Sequence, residues 1–183
     1  MSDHTSHSHA PLYLHGLEGG PDGTKGRHLT ERFGRVGPQM PASSDPNRQL
    51  TDRPACFEAC YELARAHLRD HPAPVLVGSS FGGGVTMALL QRGDWRGPVV
   101  LLAPACVRYQ FELTLPEGCH MIVIHAPDDD IIPYSDAEAL VKANPTRAEL
   151  WVSDGGHQLH SITHNGMLER AVRAQLERAS SAL

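Results

Sequence analysis

The chain lacks the features that mark membrane-spanning, nucleic-acid-binding and disulfide-rich proteins. No apolar run reaches the roughly 18–20 residues that a bilayer span needs. With 16 Lys and Arg against 21 Asp and Glu, the net charge of −5 does not favour a nucleic acid or an anionic membrane as partner. Four cysteines in 183 residues are too few for a disulfide scaffold. Cys56 and Cys60, one helical turn apart, are interpreted as small apolar residues.

The first ten residues, MSDHTSHSHA, show no pattern of a leader or of a folded element. They contain no basic segment followed by an apolar one, so we expect no secretory signal and a cytoplasmic location. We expect residues 1–10 to form a disordered tail in which His4, His7 and His9 hold no functional metal. Residues 11–183 contain no repeat or linker, and their length is that of one domain.

Short apolar runs alternate with helical patterns along the rest of the chain. The apolar runs predict strands at residues 12–14, 74–78, 98–103, 121–125 and 149–152, with a weak strand near 36–40. Helical patterns lie at 24–33, 54–71, 85–92, from a Ser135-x-x-Glu138 capping box to Asn144, and around Leu168, Val172 and Leu176. This alternation predicts a three-layer α/β/α sandwich with about six mostly parallel strands. Functional residues are expected just beyond the carboxyl ends of those strands.

The segment Gly78-Ser79-Ser80-Phe81-Gly82 follows an apolar strand and opens a helix. It matches G-x-S-x-G in the strand–turn–helix context of a nucleophile elbow. Glycine at 78 and 82 removes Cβ atoms that would clash in the sharp turn. The turn lifts the Ser80 hydroxyl above the sheet, at the positive end of a helix dipole. A phosphate cradle is the alternative, but the segment has neither a P-loop Lys-Ser/Thr nor G-x-G-x-x-G spacing. We therefore predict Ser80 as a nucleophile.

A nucleophilic serine needs a base and an orienting carboxylate, and both residue types follow later strands. Asp128, Asp129 and Asp130 follow strand 121–125, and His157 follows strand 149–152. The order Ser, Asp, His, each at a strand end, is that of α/β-hydrolases. Any of the three aspartates could supply the acid.

Two further histidines compete with His157 for the role of base. His160 and His164 lie close behind it in the sequence, and the three together could line one helical face and bind a metal. A metal site of that kind would leave Ser80 and the aspartate loop unexplained, so we predict none.

The chain resembles the small α/β-hydrolase-fold esterases of the YqiA-like kind over residues 11–180. Tyr13-Leu14-His15-Gly16-Leu17, with the Gly-Pro-Asp-Gly-Thr-Lys stretch that follows, is similar to the opening of those proteins. The segment 125–133 resembles the family pattern H-G-x-x-D-x-x-V-P, with Ala126 in place of glycine. The resemblance implies Asp129 as the acid and His157, in the family's G-H turn, as the base.

The resemblance also implies an oxyanion hole formed by two backbone N–H groups. One belongs to Phe81, directly after the nucleophile, and the other to Leu17 in the loop after the first strand. His15 and Gly16 are expected to shape that loop. Glu18 would repel an oxyanion, so we expect its side chain to point outward or to a basic partner. The chemistry needs no metal and no organic cofactor.

The predicted function is a serine hydrolase of carboxylic esters, with a small-molecule acyl ester or thioester as substrate. About sixteen residues separate the strands at 98–103 and 121–125, too few for the lid domain that usually enters there. An open site favours short acyl chains. A thioesterase or peptidase would use the same triad, and a non-catalytic binding protein of this fold is the alternative from another class. Neither the physiological substrate nor the oligomeric state follows from these motifs.

Overall fold

The computed structural model describes residues 10–17, 19–34, 37–41, 54–107 and 110–181. The elements are β1 (Leu12–Leu14), α1 (Thr24–Phe33), α2 (Pro54–Asp70), β2 (Leu76–Ser79), α3 (Phe81–Gln91), β3 (Val99–Leu102), β4 (Met121–His125), α4 (Tyr134–Lys142), β5 (Ala148–Val152) and α5 (Met167–Ser181). Two short 3-10 helices, Gly156–Gln158 and His160–Thr163, lie between β5 and α5. The predicted disordered tail, apart from Ala10, and Glu18 lie outside the described residues.

The described strands form one parallel sheet in the order β1-β2-β3-β4-β5. Because all of them run the same way, their carboxyl ends meet at one edge of the sheet. The predicted parallel sheet is thereby confirmed, with five described strands instead of about six. Residues 37–40, part of the weakly predicted strand, are not in a strand. Gly37 instead packs against β1, where an added Cβ atom would lie 2.3 Å from the Tyr13 carbonyl oxygen.

Alternate residues of the strands fill two apolar cores, one on each face of the sheet. Helices α2, α3 and α4 cover one face, which carries Leu12, Leu14, Leu76, Val99, Leu101, Met121 and Val123. Helices α1 and α5 cover the other, which carries Tyr13, Val77, Val100, Leu102, Ile122 and Ile124. This period of two is what a sheet buried on both faces requires, and it confirms the three-layer prediction.

The predicted capping box of α4 is wrong. The helix begins at Tyr134 with Pro133 as its N-cap residue and has no side-chain capping bond. Ser135 is already inside the first turn, so its hydroxyl is not at the position that caps a helix. The Pro133 ring, with its fixed φ of −57°, sets the start of the helix instead.

The cysteines and the described helices agree with the composition. All four cysteines are free; Cys60, Cys106 and Cys119 are buried and Cys56 is half-buried. No helix within the described residues is long and apolar enough to cross a membrane.

Candidate active site

Ser80 sits in a strained turn between β2 and α3. Its φ of 51° and ψ of −113° lie where residues other than glycine are rarely found. Such a conformation costs on the order of 1–3 kcal/mol and persists only where neighbours fix it. The Ser80 amide donates to the Leu102 carbonyl at 2.8 Å, and the Ala105 amide donates to the Ser80 carbonyl at 3.0 Å. The turn is therefore held from β3, the neighbouring strand.

Two glycines make this turn possible because other atoms already occupy the positions where their Cβ atoms would lie. A Cβ atom on Gly78 would lie 2.4 Å from Thr86 Oγ1 and 2.7 Å from the Gly82 carbonyl oxygen. A Cβ atom on Gly82 would lie 2.0 Å from the Leu14 carbonyl oxygen. Real Cβ atoms do not approach other atoms so closely, so both positions exclude a side chain. These contacts are those expected of the predicted elbow.

The structure brings Ser80, His157 and Asp129 together at the carboxyl edge of the sheet. His157 Nε2 lies 2.9 Å from Ser80 Oγ. Its Nδ1 lies 2.9 Å from Asp129 Oδ2 and 3.1 Å from Asp129 Oδ1. The His157 side chain is 15% exposed, whereas the Asp129 side chain is fully buried. The hydroxyl, the imidazole and the carboxylate thus form one hydrogen-bonded chain that reaches solvent at the histidine.

The carboxylate of Asp129 is held by its own loop. Its Oδ1 accepts hydrogen bonds from the amides of Ile131 and Ile132, both at 2.9 Å. Burial raises the pKa of the Asp129 carboxyl, but donation from the Ile132 amide, the His157 ring and the Ile131 amide outweighs it. The net pKa lies below the ordinary value of an aspartate, so the group is an anion at neutral pH.

Neither rival aspartate is a hydrogen-bond partner of the His157 ring. Asp128 is exposed, and its Oδ1 accepts a hydrogen bond from the Gly156 amide at 3.2 Å, which ties the aspartate loop to the turn that carries His157. Asp130 is exposed.

The rival histidines lie on the surface. His160 and His164 are exposed, and His164 Nδ1 donates to the His160 carbonyl at 3.0 Å. Across the described part of the chain, no three His, Cys, Asp or Glu side chains are grouped as metal ligands.

The loop after β1 passes directly beside the serine. A Cβ atom on Gly16 would lie 3.3 Å from Ser80 Cβ and 4.0 Å from Ser80 Oγ. Leu17 is the next residue in this loop, and Phe81 follows Ser80 at the start of α3. Leu17 therefore adjoins Gly16, which borders the Ser80 side chain, and Phe81 adjoins Ser80 itself. Their role as donors to an oxyanion stays a prediction.

His15 is fully buried and fixes this loop with both ring nitrogens. The Met40 amide donates to His15 Nε2 at 3.0 Å, so the ring proton must sit on Nδ1, which donates to the Gly16 carbonyl at 2.8 Å. Burial lowers the pKa of His15, and the bond to Gly16 offsets this only in part. The ring is held neutral and ties the loop to residues 37–41.

The comparisons with known proteins give matches in structure and none in sequence. No protein-family model matches the chain. No curated protein matches it in sequence. A candidate hydrolase of the alpha/beta superfamily from Xanthomonas campestris pv. campestris is 25% identical and superimposes with a TM-score of 0.68, over 97% of this chain and 99% of its own.

Two more distant solved structures agree. A candidate YdeN-like hydrolase from Pectobacterium atrosepticum is 17% identical, with a TM-score of 0.71 over 94% of this chain and 92% of its own. Alpha/beta hydrolase domain-containing protein 10 from mouse is 13% identical, with a TM-score of 0.60 over 87% and 89%. The chain has the α/β-hydrolase fold. The turns that carry Ser80, Asp129 and His157 follow β2, β4 and β5 of this fold.

Two contacts of this α/β-hydrolase fold were not predicted from the sequence. His125, the last residue of β4, places Nε2 2.9 Å from Asp129 Oδ2, so the carboxylate has two imidazole partners. Lys25 in the first turn of α1 donates from Nζ to the Gln158 carbonyl at 2.7 Å, next to His157. The i,i+4 spacing of His125 and Asp129 could have suggested the first contact. Nothing local could have suggested the second.

Proposed function

We propose that the protein is a serine hydrolase that cleaves carboxylic esters through an acyl-enzyme intermediate. The observation that carries the proposal is the unbroken chain of hydrogen bonds, 2.9 Å from Ser80 Oγ to His157 and 2.9 Å from His157 to Asp129. The hydrolases among its structural neighbours support the reaction class. The motifs shared with YqiA-like esterases support an ester as the substrate.

In this mechanism Ser80 is the nucleophile and His157 is the general base. The anionic Asp129 accepts a hydrogen bond from Nδ1–H of His157, which leaves the Nε2 lone pair facing the Ser80 hydroxyl. As Ser80 Oγ attacks the acyl carbonyl, His157 Nε2 takes the hydroxyl proton and then gives it to the departing alcohol. Asp129 stabilises the imidazolium that forms in between. Water, deprotonated by His157, then releases the acid and restores Ser80.

The negative oxygen of the tetrahedral intermediate is assigned to the amides of Leu17 and Phe81. Each donor of this kind is worth roughly 3 kcal/mol of barrier, because it is aimed at charge that develops only in the transition state. The Phe81 amide lies in the first turn of α3, where the helix dipole also favours an anion. Gly16, with its close approach to Ser80, keeps the Leu17 loop within reach.

Short acyl chains are the proposed substrates because the described part of the link from β3 to β4 provides no separate cover over the site. The link from β3 to β4 contains no α-helix among its described residues, 103–107 and 110–120. Phe111 and Leu113 of this link pack onto the core, and the Phe111 ring lies 5.9 Å from the Phe57 ring of α2. A segment bound to the core in this way does not form a separate cover that could enclose a long acyl chain.

The decisive experiment compares wild type with Ser80→Ala. We expect the variant to lose ester turnover and labelling by a fluorophosphonate probe, with an unchanged circular dichroism spectrum and melting temperature. Ser79→Ala is the matched control, since the Ser79 hydroxyl is not hydrogen-bonded to His157. The Ser79→Ala variant should still be labelled. Labelling retained in Ser80→Ala would place the nucleophile elsewhere.

A substrate panel separates the reaction classes that share this chemistry. Acyl esters of increasing chain length, the matching thioesters and anilides are assayed on wild type and Ser80→Ala. We expect the highest kcat/KM for short esters. A preference for thioesters or anilides would keep the triad and replace the ester substrate. No labelling and no turnover by wild type would favour a non-catalytic binding protein.

A further inference from the structure

Asp129 has a second imidazole partner that the proposed mechanism does not use. His125 is fully buried at the end of β4, and its Nε2 lies 2.9 Å from Asp129 Oδ2 and 3.1 Å from the Ile132 carbonyl oxygen. Both neighbours are hydrogen-bond acceptors at neutral pH. A lone pair on Nε2 would be repelled by both oxygens. Nε2 therefore carries the proton and donates a hydrogen bond to these two acceptors.

This arrangement leaves the other ring nitrogen without a partner. His125 Nδ1 is buried, and within the described residues it makes no hydrogen bond. The Tyr134 ring packs against the imidazole edge to face, with centroids 5.7 Å apart, and offers it no acceptor or donor. An unpaired buried acceptor costs stability, and an aliphatic side chain at the end of this apolar strand would avoid that cost. Core packing alone therefore does not account for a histidine here.

The two oxygens of Asp129 are held in different ways. Oδ1 is fixed by two backbone amides, those of Ile131 and Ile132, which belong to the same loop as the carboxylate. Among the described residues, Oδ2 accepts only from the rings of His157 and His125. His157 changes its protonation state during the proposed reaction and faces Ser80 with its other nitrogen. His125 is thus the one partner of Oδ2 in the described part of the chain that stays the same throughout.

We propose that His125 is a positioning residue, whose Nε2–H holds Asp129 Oδ2 in the orientation that accepts the hydrogen bond from Nδ1–H of His157. The inference rests on the proposed function for its catalytic consequence. It predicts that loss of His125 lowers kcat and leaves KM nearly unchanged. The orientation of Asp129 matters once His157 takes up a proton, and it does not matter for binding an ester.

The test compares His125→Leu with His125→Gln. Leucine fills similar space without a donor, whereas the glutamine amide ends close to where Nε2 lies and can donate to Asp129. We expect His125→Leu to lower kcat about ten- to hundred-fold with KM changed by less than about twofold, since small misplacement of a catalytic group has effects of this order. His125→Gln should keep most of kcat.

The pair separates positioning from packing because the two roles rank the variants in opposite order. In an apolar core leucine is tolerated better than glutamine, so a role in apolar packing alone predicts that His125→Leu is the more active and the more stable variant. Wild-type kcat in a folded His125→Leu variant, or a kcat of His125→Gln below that of His125→Leu, would overturn the proposal. If His125→Leu does not fold, His125→Asn replaces it, because its shorter amide cannot reach Oδ2.

A spectroscopic readout separates this inference from the esterase proposal. The proton shared by His157 Nδ1 and Asp129 should give a far-downfield proton resonance in wild type, absent in His157→Gln. We expect His125→Leu to shift or broaden it and His125→Gln to restore it, whether or not any ester is cleaved. An unchanged resonance in His125→Leu would overturn the positioning role, even where Ser80→Ala has confirmed the nucleophile.

Discussion

The nucleophile and the acid–base pair of the candidate site are held in place by different forces. The elbow around Ser80 is fixed by close packing: Gly78 and Gly82 touch backbone from α3 and β1, and residues 78–84 carry no charged side chain. The acid–base side is fixed by hydrogen bonds to a single carboxylate, Asp129, which accepts from two amides and two imidazoles.

This difference decides what each side tolerates. Packing within van der Waals contact excludes even one added methyl group but does not respond to pH. Hydrogen bonds to a buried carboxylate respond to charge and to the loss of a donor, and they tolerate small changes of volume. A substitution that changes only size should therefore affect the elbow and leave the acid–base pair unchanged. A substitution that changes only charge should do the reverse.

The largest effect is expected from Asp129→Asn, which changes charge and almost no volume. The amide cannot stabilise the His157 imidazolium and favours the wrong ring tautomer, so kcat/KM should fall about 10³–10⁴-fold. Fluorophosphonate labelling of Ser80 should slow by a similar factor, and steady-state kinetics with a short acyl ester measure the loss.

Asp130→Asn is the matched control, because it removes one charge from the neighbouring, exposed residue. Its kcat/KM should stay within about twofold of wild type, as is usual for surface changes. Equal losses in the two variants would mean that the loop, and not the Asp129 carboxylate, is what matters.

The next effect is expected from Gly82→Ala, which changes size and no charge. The new Cβ atom would lie 2.0 Å from the Leu14 carbonyl oxygen, so strand β1 or helix α3 must shift. Overpacking of this kind costs about 3 kcal/mol or more, which corresponds to a fall in melting temperature of roughly 6–12 °C. Thermal unfolding followed by circular dichroism measures it.

Gly19→Ala is the control for Gly82→Ala. Its added Cβ atom would meet the Gly16 carbonyl oxygen at 3.8 Å and His15 Cβ at 3.9 Å, which are ordinary contacts. Its melting temperature should stay within a few degrees of wild type. If Gly82→Ala were equally stable, the elbow would be less tightly packed than its geometry implies.

Local patterns in the sequence predicted most of the fold and the site. The bounds of α1 and β4 agree with the predicted 24–33 and 121–125, because these segments have clear periodicity and end at turn residues. Ser80, His157 and Asp129 could be found because each follows a strand in a recognisable turn. The sequence could not rank the three aspartates without the family pattern, since the choice depends on which carboxylate the loop amides enclose.

The features that were not predicted depend on contacts between distant segments or on the role assigned to a single residue. The weak strand near 36–40 follows a local pattern, but its described part lies against β1 without pairing as a strand. His125 ends an apolar run and opens the segment that resembles the family's acid motif, but no role in the site was predicted for it. Lys25 and Gln158 are 133 residues apart, and only the packing of α1 beside the histidine turn brings them together.

The smallest effect is expected from pH, and it extends the comparison to the loop beside Ser80. His15 is neutral in the fold, and burial holds its pKa below the ordinary value of about 6.5. Between about pH 7 and 5 the unfolded chain therefore binds more protons than the folded one, and the free energy of unfolding must fall as pH falls. His120, whose pKa is lowered by burial and by Arg178 and Arg147, adds to the same slope.

His15→Gln tests this contribution, because its amide oxygen can still accept from the Met40 amide but cannot be protonated in this range. We expect urea unfolding at pH 7 and pH 5 to show a smaller difference in the free energy of unfolding than in wild type. His160→Gln, at an exposed position, should leave that difference unchanged. An unchanged difference in His15→Gln would mean that the bond between His15 and Met40 does not limit protonation.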